Sequence, residues 1–464
     1  MQKYIHSPRR PTRRTAIANF GSGKNMAIDK AVLPVGTAES IFNFDFSTGA
    51  LTEGYGLVEA AEINRAVFEI WTYRKFNFDT DSLEEILMFR AAPSGDIFYV
   101  RNGITRQLAG VRFNSTVRAV NYRLYGDDVI LLTSATDSMV VWDGTNAAYS
   151  VPNAPKITSL TIHFERMFAT VGGESNAVWF SRDLDPTNWD LGLDRGGFIQ
   201  VLDERGKLNK VISFQNFVYI LRDFGISRLS AFADQTDFSV SNLFVSSGRI
   251  FADTAKLCGD RIIFLASDGL YQFDGISTTR IMGRLDGVMH PSEKSTAAFF
   301  NGKYYLSLSV TKDKKSGNTS SNFSNNNAVL VYDVQTGMFS LLTDVCISGF
   351  NVCGDRLFGV ADGGKACLIE KCGSVFGVPT DKTWLSGEMD FGTEGIKNIK
   401  EIHLQTDYPL QLTVGTERAV KEFAVAPTPG GTKININMRG KIIRIGLSAV
   451  TERARINKPT VIFN

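Results

Sequence analysis

The chain is poor in the residues from which active sites are usually built. It has 4 histidines among 464 residues, and His6, His163, His290 and His403 stand far apart with no shared motif. No H-E-x-x-H pair and no G-x-S-x-G elbow occurs. Cysteine is scarce and odd in number, at 5, which argues against a disulfide scaffold and for assembly in a reducing cytoplasm. Cys346, Cys353, Cys367 and Cys372 lack paired C-x-x-C spacing and have no histidine among them, so they read, with Cys258, as buried strand thiols and not as a zinc site. No apolar run reaches the roughly 18 residues of a membrane span, and no apolar stretch of a secretory signal follows the first basic residues. One-sided charge is also lacking. Lys and Arg number 50 against 48 Asp and Glu, a net of +2, which does not mark a nucleic-acid binder.

Two segments echo enzyme motifs and fall short. Gly21-Ser22-Gly23-Lys24-Asn25 suggests a phosphate loop, but the first glycine of that motif would fall on Ala18, and Asn25 replaces the hydroxyl that would hold magnesium. Ser181 to Trp189 is similar to the Asp-box turn of sialidase-type propellers, with Asp185 in place of the glycine, the tryptophan one position late, and no second copy. Its simpler reading is a turn in which Pro186 sets φ and Trp189 packs on the neighbouring strand. Glu84 and Glu85 are adjacent and so do not face each other as a general acid/base pair. The expectation is a protein that is not an enzyme and holds no cofactor or metal.

What is present is strand and turn. Phe numbers 33 and Gly 42, with 43% hydrophobic residues, the material of many short strands and tight turns around a substantial core. One unit recurs: Gly-Asp, an apolar run, a break, a second apolar run, then Asp-Gly. It starts at Gly95-Asp96, Gly126-Asp127, Gly259-Asp260 and Gly354-Asp355, and a diverged copy starts at Asn301-Gly302. Segments 166–180 and 217–226 fit without the opening dipeptide. Asn-Gly and Asp-Gly supply the positive φ angles of two-residue hairpins. Hairpins cannot bury both faces alone, but stacked around an axis they cover one another, which is the logic of propeller blades. Ser82 to Arg90 fits a strand or a helical turn equally. The Lys-, Ser-, Gly- and Asn-rich stretch Thr311 to Asn327 reads as a surface loop within a blade. The repeat stops near Pro379-Thr380-Asp381, and about six more openly alternating strands follow, suggesting a small sandwich or barrel.

The expected fold is therefore all-β: residues 1–55 an N-terminal arm and first strands, 56–380 a β-propeller of six to seven blades, 381–464 a smaller β-sandwich-like domain. Ile41 to Phe46 is expected to close the ring or cross to a neighbour. Arg9, Arg10, Arg13 and Arg14 crowd the N-terminus around Pro11. They form either a solvated arm or one that docks on another subunit, on a portal, or on nucleic acid.

Asn176 to Trp189, an apolar strand ending in Ser with an acidic-Pro turn and a Trp, resembles a feature of phage tail propellers. Lys24-Asn25-Met26, Leu33-Pro34-Val35-Gly36, Glu39, Asn43-Phe44-Asp45 and Gly54-Tyr55-Gly56 are similar to the opening of those proteins. Asp268-Gly269-Leu270-Tyr271 and Arg439 to Arg444 fit as well. The family is the tail hub, nozzle or packaged-DNA stabilisation proteins of podophages and relatives. The resemblance implies a virion protein assembled in the host cytoplasm into a homo-oligomeric ring, often a hexamer. Such a ring sits below the portal and adaptor, with tailspikes or fibres attached, and double-stranded DNA passes through it without specific binding. No catalytic residue comes with the family. A wall along which DNA slides is expected to be mixed or acidic. The alternative is a receptor- or glycan-binding propeller at a tail tip, with a glycosidase-type propeller behind it.

Overall fold

The computed structural model describes residues 11–17, 20, 38–232, 234–281, 288–311, 325–457 and 459–464. Among them there is no α-helix, and seven sheets form the blades of a propeller. Six blades take four or more consecutive strands, beginning at Val67, Val117, Ile157, Leu208, Ile250 and Met289. The seventh takes three strands from Ile347–Cys353, Arg356–Ala361 and Ala366–Glu370, and its outer strand comes from Gly56–Glu59. Leu57 lies opposite Ile369 and Val58 opposite Leu368. The ring is closed by Gly56–Glu59 and not by residues 41–46.

The apolar runs of the repeat are the second strands of the blades. Ile262–Ala266 is buried at every residue and Lys303–Val310 at every residue after the first, because a blade between two others is covered on both faces. Each of the seven junctions between blades has its own apolar cluster; the one between blades 1 and 2 joins Tyr73, Met88 and Ile97 to Ile130, Leu132 and Trp142. Ser82–Ala91 is a strand, the second of blade 1. Gly95-Asp96 consequently precedes a third strand, whereas Gly126, Gly259 and Gly354 precede second strands. The same turn dipeptide serves different hairpins, so the repeat alone does not set the phase. Residues 312–324 of the expected loop lie outside the described residues; Lys303–Val310 and Ala328–Asp333 flank them.

The second module is a sandwich, and both ends of the chain build it. Ala38–Phe42 pairs with Asp381–Ser386 at the edge of a five-stranded sheet. Arg13–Ala16 pairs with Thr460–Phe463 at the edge of a four-stranded sheet. One core lies between them, in which Ile17, Phe20, Ile41 and Phe44 meet Trp384, Leu412, Ile445 and Phe463. Phe20 stands edge-on to Trp384 at 5.0 Å. Of the expected N-terminal arm, Ile17 and Phe20 are buried in this core against the C-terminal strands of the same chain.

The sandwich sits on the outer flank of blades 6 and 7. Asn43 donates to the Thr343 hydroxyl (3.1 Å), and its own Oδ1 accepts from the Thr343 amide (2.8 Å). Asp45 pairs with Lys371. Lys382 is fully buried at the joint, where its ammonium donates to the carbonyls of Gly373 (2.9 Å) and Thr451.

Candidate functional site

Alternation of strand direction puts two kinds of connection on each end of the propeller. One face carries the turns between second and third strands and the crossings to the next blade. The opposite face carries the first-to-second turns and the third-to-outer loops.

On the first face a cavity of about 300 Å³ opens over the axis, lined by residues including Arg118, Gly172, Asp253 and Glu293. Below it the blades are tied to one another in a circle, through their inner strands except in blade 6, where the bridging side chains stand on the second strand. Asn351 donates to the Thr72 hydroxyl (2.8 Å), linking blade 7 to blade 1, and Asn121 donates to the Thr72 carbonyl (3.0 Å), linking blade 2 to blade 1. Arg118 reaches the Thr158 carbonyl (3.1 Å), and the Ser159 and Thr161 hydroxyls accept from the amides of Val211 and Ser213. Lys210 donates to the Ala255 carbonyl (2.8 Å), Tyr304 to that of Thr254 (2.7 Å) and Ser307 to that of Ile347 (2.6 Å). Every junction is bridged. Side chains satisfying backbone groups at a strand edge that has no further strand explain why these inner strands carry polar residues at all.

The channel itself is crossed. Arg118 on the inner strand of blade 2 pairs with Asp253 on that of blade 5 at 2.8 Å. A conduit for a duplex would therefore have to lie between subunits, outside the propeller of any one chain.

The opposite face is apolar over blades 2 to 4. Tyr125 is 81% exposed, Phe232 is 66% exposed, and Phe164, Leu184, Leu191 and Leu193 are more than half exposed. They form one band. The Tyr125 hydroxyl donates to Asp185 (3.0 Å), which lifts its pKa, and the Leu184 amide donates to the Glu165 carbonyl (3.1 Å). Phe164 stands edge-on to Phe232 at 5.5 Å, and Gln235 reaches the Gly192 carbonyl (2.9 Å). Exposed Glu165, Asp183, Asp190, Asp194 and Asp234 rim the band together with Arg182 and Arg195, so the rim is acidic on balance.

The backbone at its centre is unusual. Tyr125, Phe164 and Leu184 have φ of 51°, 49° and 58°, a left-handed region that bulky side chains rarely adopt. The corresponding first-to-second turns of blades 4 and 6 use Gln215-Asn216 and Asn301-Gly302. Blades 2 and 3 put aromatic rings where asparagine would be at ease, and leave them in solvent. The band holds no tryptophan: Trp142 is buried, its Nε1 donating to the Asn146 carbonyl, and Trp179 is half-buried, its Nε1 donating to Glu174 (2.7 Å). The available signal was a bulky residue at a hairpin tip, as in Tyr125-Gly126.

Of the N-terminal arginines, Arg9 and Arg10 lie outside the described residues. Arg13 and Arg14 are exposed on the sandwich edge strand, opposite Phe463 and Ile462. With Lys400, Lys433 and Arg439, all exposed, they make the outside of the four-stranded sheet basic. The Ser181–Trp189 segment joins the third and outer strands of blade 3, and its polar groups serve the turn: Ser181 Oγ accepts from the Met167 amide (3.0 Å) and Thr187 Oγ1 donates to Asp185 (2.6 Å). Glu84 pairs with Arg101 and Glu85 with Arg74. The phosphate-loop echo at residues 21–25 lies outside the described residues.

No family model matches the chain, and no curated protein matches it. Solved structures similar to it are WD40 propellers. The RRP9 WD40 repeats and U3-55K each show 11% identity and a TM-score of 0.42, covering 68% of this chain and 96% and 98% of theirs. The Cps50 (Swd1) β-propeller domain of Myceliophteria thermophila shows 12% identity and a TM-score of 0.42, covering 66% of this chain and 98% of its own. The strand order stands by itself: the chain is a seven-bladed β-propeller carrying a β-sandwich made from its two ends.

Proposed function

We propose that the chain is a structural protein of a phage tail, forming a homo-oligomeric ring around the DNA exit path. The observation that carries this reading is the apolar, acid-rimmed band on blades 2 to 4. Contiguous exposed apolar surface on a soluble protein marks an interaction site. In a seven-bladed ring, blades 2 to 4 lie across the axis from blades 6 and 7, where the sandwich and its basic sheet are docked. An acidic apolar patch on one side and a basic patch on the other suit a head-to-tail contact, the kind that closes into rings. The resemblance to tail hub and nozzle proteins supplies the setting: portal and adaptor above, tailspikes or fibres outside, DNA passing between subunits.

Mass photometry of the full chain tests it. Closed rings are expected for the wild type. The Tyr125→Asn/Phe164→Asn double variant should be monomeric and folded. A wild type that stays monomeric at every concentration, or rings unaffected by the double variant, would overturn it. A second reading, a glycan-binding tail propeller, is favoured by the aromatic rings flanked by carboxylates in the same band, since ring faces stack on sugars. Binding to a glycan array that the double variant abolishes, with no ring formed, would select it.

A further inference from the structure

His163 is the one described histidine sealed inside the propeller, at 3% exposure. It ends the inner strand of blade 3, Ile157–His163, directly before the left-handed tip residue Phe164. Its ring lies 4.3 Å from the exposed Phe164 ring and 6.1 Å from the buried Phe168 ring, and Phe164 in turn meets Phe232 of blade 4 at 5.5 Å. Nδ1 shares a hydrogen bond with the Ser213 hydroxyl of blade 4 at 2.9 Å. Nε2 is buried with no hydrogen-bond partner among the described residues. The imidazole thus joins blade 3 to blade 4 beneath the apolar band.

This geometry favours the neutral ring. In either tautomer one nitrogen serves Ser213 and the other is left without a partner, a cost that an uncharged ring can bear. Protonation would place N–H on both nitrogens and a full charge between two phenyl rings, with no carboxylate to offset it. The charged groups on the surrounding elements are turned elsewhere. Glu165 and Asp237 are exposed, Arg166 reaches the Ser181 carbonyl at 3.3 Å and Asp183 at 3.6 Å, and Asp234 accepts from the Thr236 amide at 2.9 Å. On blade 4, Lys210 donates to the Ala255 carbonyl and Arg228 lies over the Phe217 ring. Burial accordingly lowers the His163 pKa, and the Asn216 backbone offsets only part of this. A base whose folded pKa is depressed supports the closed form above its free value of about 6.5, and that support is lost as pH falls below it. The adjoining Phe164 tip, with its strained backbone and half-exposed ring, is the place where the fold opens most readily.

We propose that His163 is an acid-released latch: at neutral pH it pins the blade 3 hairpin to blade 4, and its protonation opens the hairpin and breaks up the band. The consequence for assembly rests on the reading of the band as a subunit contact; the latch itself does not. Blade 2 supplies the comparison within the same chain. Its hairpin, strands Val117–Leu124 and Asp127–Ser134, has Tyr125 at the tip with φ 51° and contains no histidine. The other described histidines stand on blade 6 and in the sandwich, His290 against Thr311 and His403 against Glu401.

Hydrogen exchange by mass spectrometry tests the latch on the full chain at about pH 7.5 and 5, either side of the free histidine value and above the range of free carboxylates. After correction for intrinsic exchange, residues 157–171 are expected to lose protection at least about threefold more than residues 117–134 on acidification. His163→Gln, neutral at both pH values, should abolish the difference; the wild-type comparison of the two hairpins decides by itself if that variant does not fold. Equal loss in the two hairpins, or the same acid response in a folded His163→Gln protein, would overturn the proposal. Mass photometry of the same samples separates the latch from its consequence. Rings that dissociate at the lower pH in the wild type and persist in His163→Gln are the expected result. Rings that survive an opened hairpin would overturn the link to assembly, and absence of rings at both pH values would overturn the proposed function while the exchange result still decides the latch.

Discussion

Gly56→Ala is a small change that should loosen the closure of the propeller. A Cβ at position 56 would stand 2.6 Å from the Cys372 sulfur and 2.9 Å from the Ser374 amide nitrogen, and closer still to the Ser374 carbonyl oxygen. Two of these three atoms are backbone, so no rotamer change relieves the contact. Ser374 is itself held in a short strand that pairs with Val378–Pro379. The strand bearing Gly56 must therefore shift away from it, against its own ladder with Ala366–Glu370. Overpacking of this kind costs about 1–3 kcal/mol, and the rigid neighbour argues for the upper half of that range. Gly349→Ala is the control, because its Cβ would meet nothing nearer than Val360 at 4.0 Å. Hydrogen exchange by mass spectrometry, with thermal melting, reads the result. Gly56→Ala should speed exchange in residues 56–59 and 366–370 and lower the melting temperature, and Gly349→Ala should do neither. A Gly56→Ala protein within about 0.5 kcal/mol of wild type, with unchanged exchange in that strand, would refute the close-approach argument.

Lys382 should make the joint between modules pH-dependent. Burial lowers its pKa from 10.5 to about 8, so the unfolded chain holds the proton over a window where the folded chain has lost it. Stability from this group therefore rises with pH between about 8 and 10.5, and the advantage of wild type over Lys382→Met should grow by about 2 kcal/mol between roughly pH 7 and 9.5; urea melts at the two pH values measure it. Phe20→Ala should cost about 3–5 kcal/mol in the sandwich, read by melting. Deletion through residue 20 removes Ile17 and Phe20 from the core, so loss of assembly in that variant would report unfolding and not a lost docking arm.

Much of the fold was legible because propeller blades leave a strong mark. Runs such as Val129 to Leu132 are apolar at every position because blades cover them on both faces, and Asp-Gly and Asn-Gly mark the hairpins between them. The closure and the sandwich were not legible, for one physical reason. Both depend on pairing across more than 300 residues, as in Leu57 with Ile369 and Arg13 with Phe463, and periodicity carries no information about distant partners. Gly54-Tyr55-Gly56 stood out as a motif, but the cause at Gly56 is such a contact: a Cβ there would meet the Ser374 amide nitrogen at 2.9 Å. The candidate surface was illegible for a different reason. A tyrosine or phenylalanine in a strand-rich chain reads as core, and only the backbone angle at its hairpin tip shows that it must point outward.

That angle also separates assembly from stability. A bulky residue in the left-handed region costs on the order of 1–3 kcal/mol, and asparagine relieves part of it, as Asn301 does in blade 6 at φ 46°. Against this gain, Tyr125→Asn loses the exposed hydrogen bond to Asp185, and Phe164→Asn loses ring contacts with Phe232 and His163 at 5.5 and 4.3 Å. These losses are on the order of 1 kcal/mol each, so the double variant should melt within a degree or two of wild type. A band kept only for packing would behave otherwise, because its loss would lower the melting temperature without touching the oligomer. Strain retained at three adjacent turns, with the side chains left in water, is the pattern of a contact made with something outside the chain. Mass photometry and melting of the same variant decide between the two: lost rings with an unchanged melt is the outcome expected, and a lowered melt with intact rings would refute it.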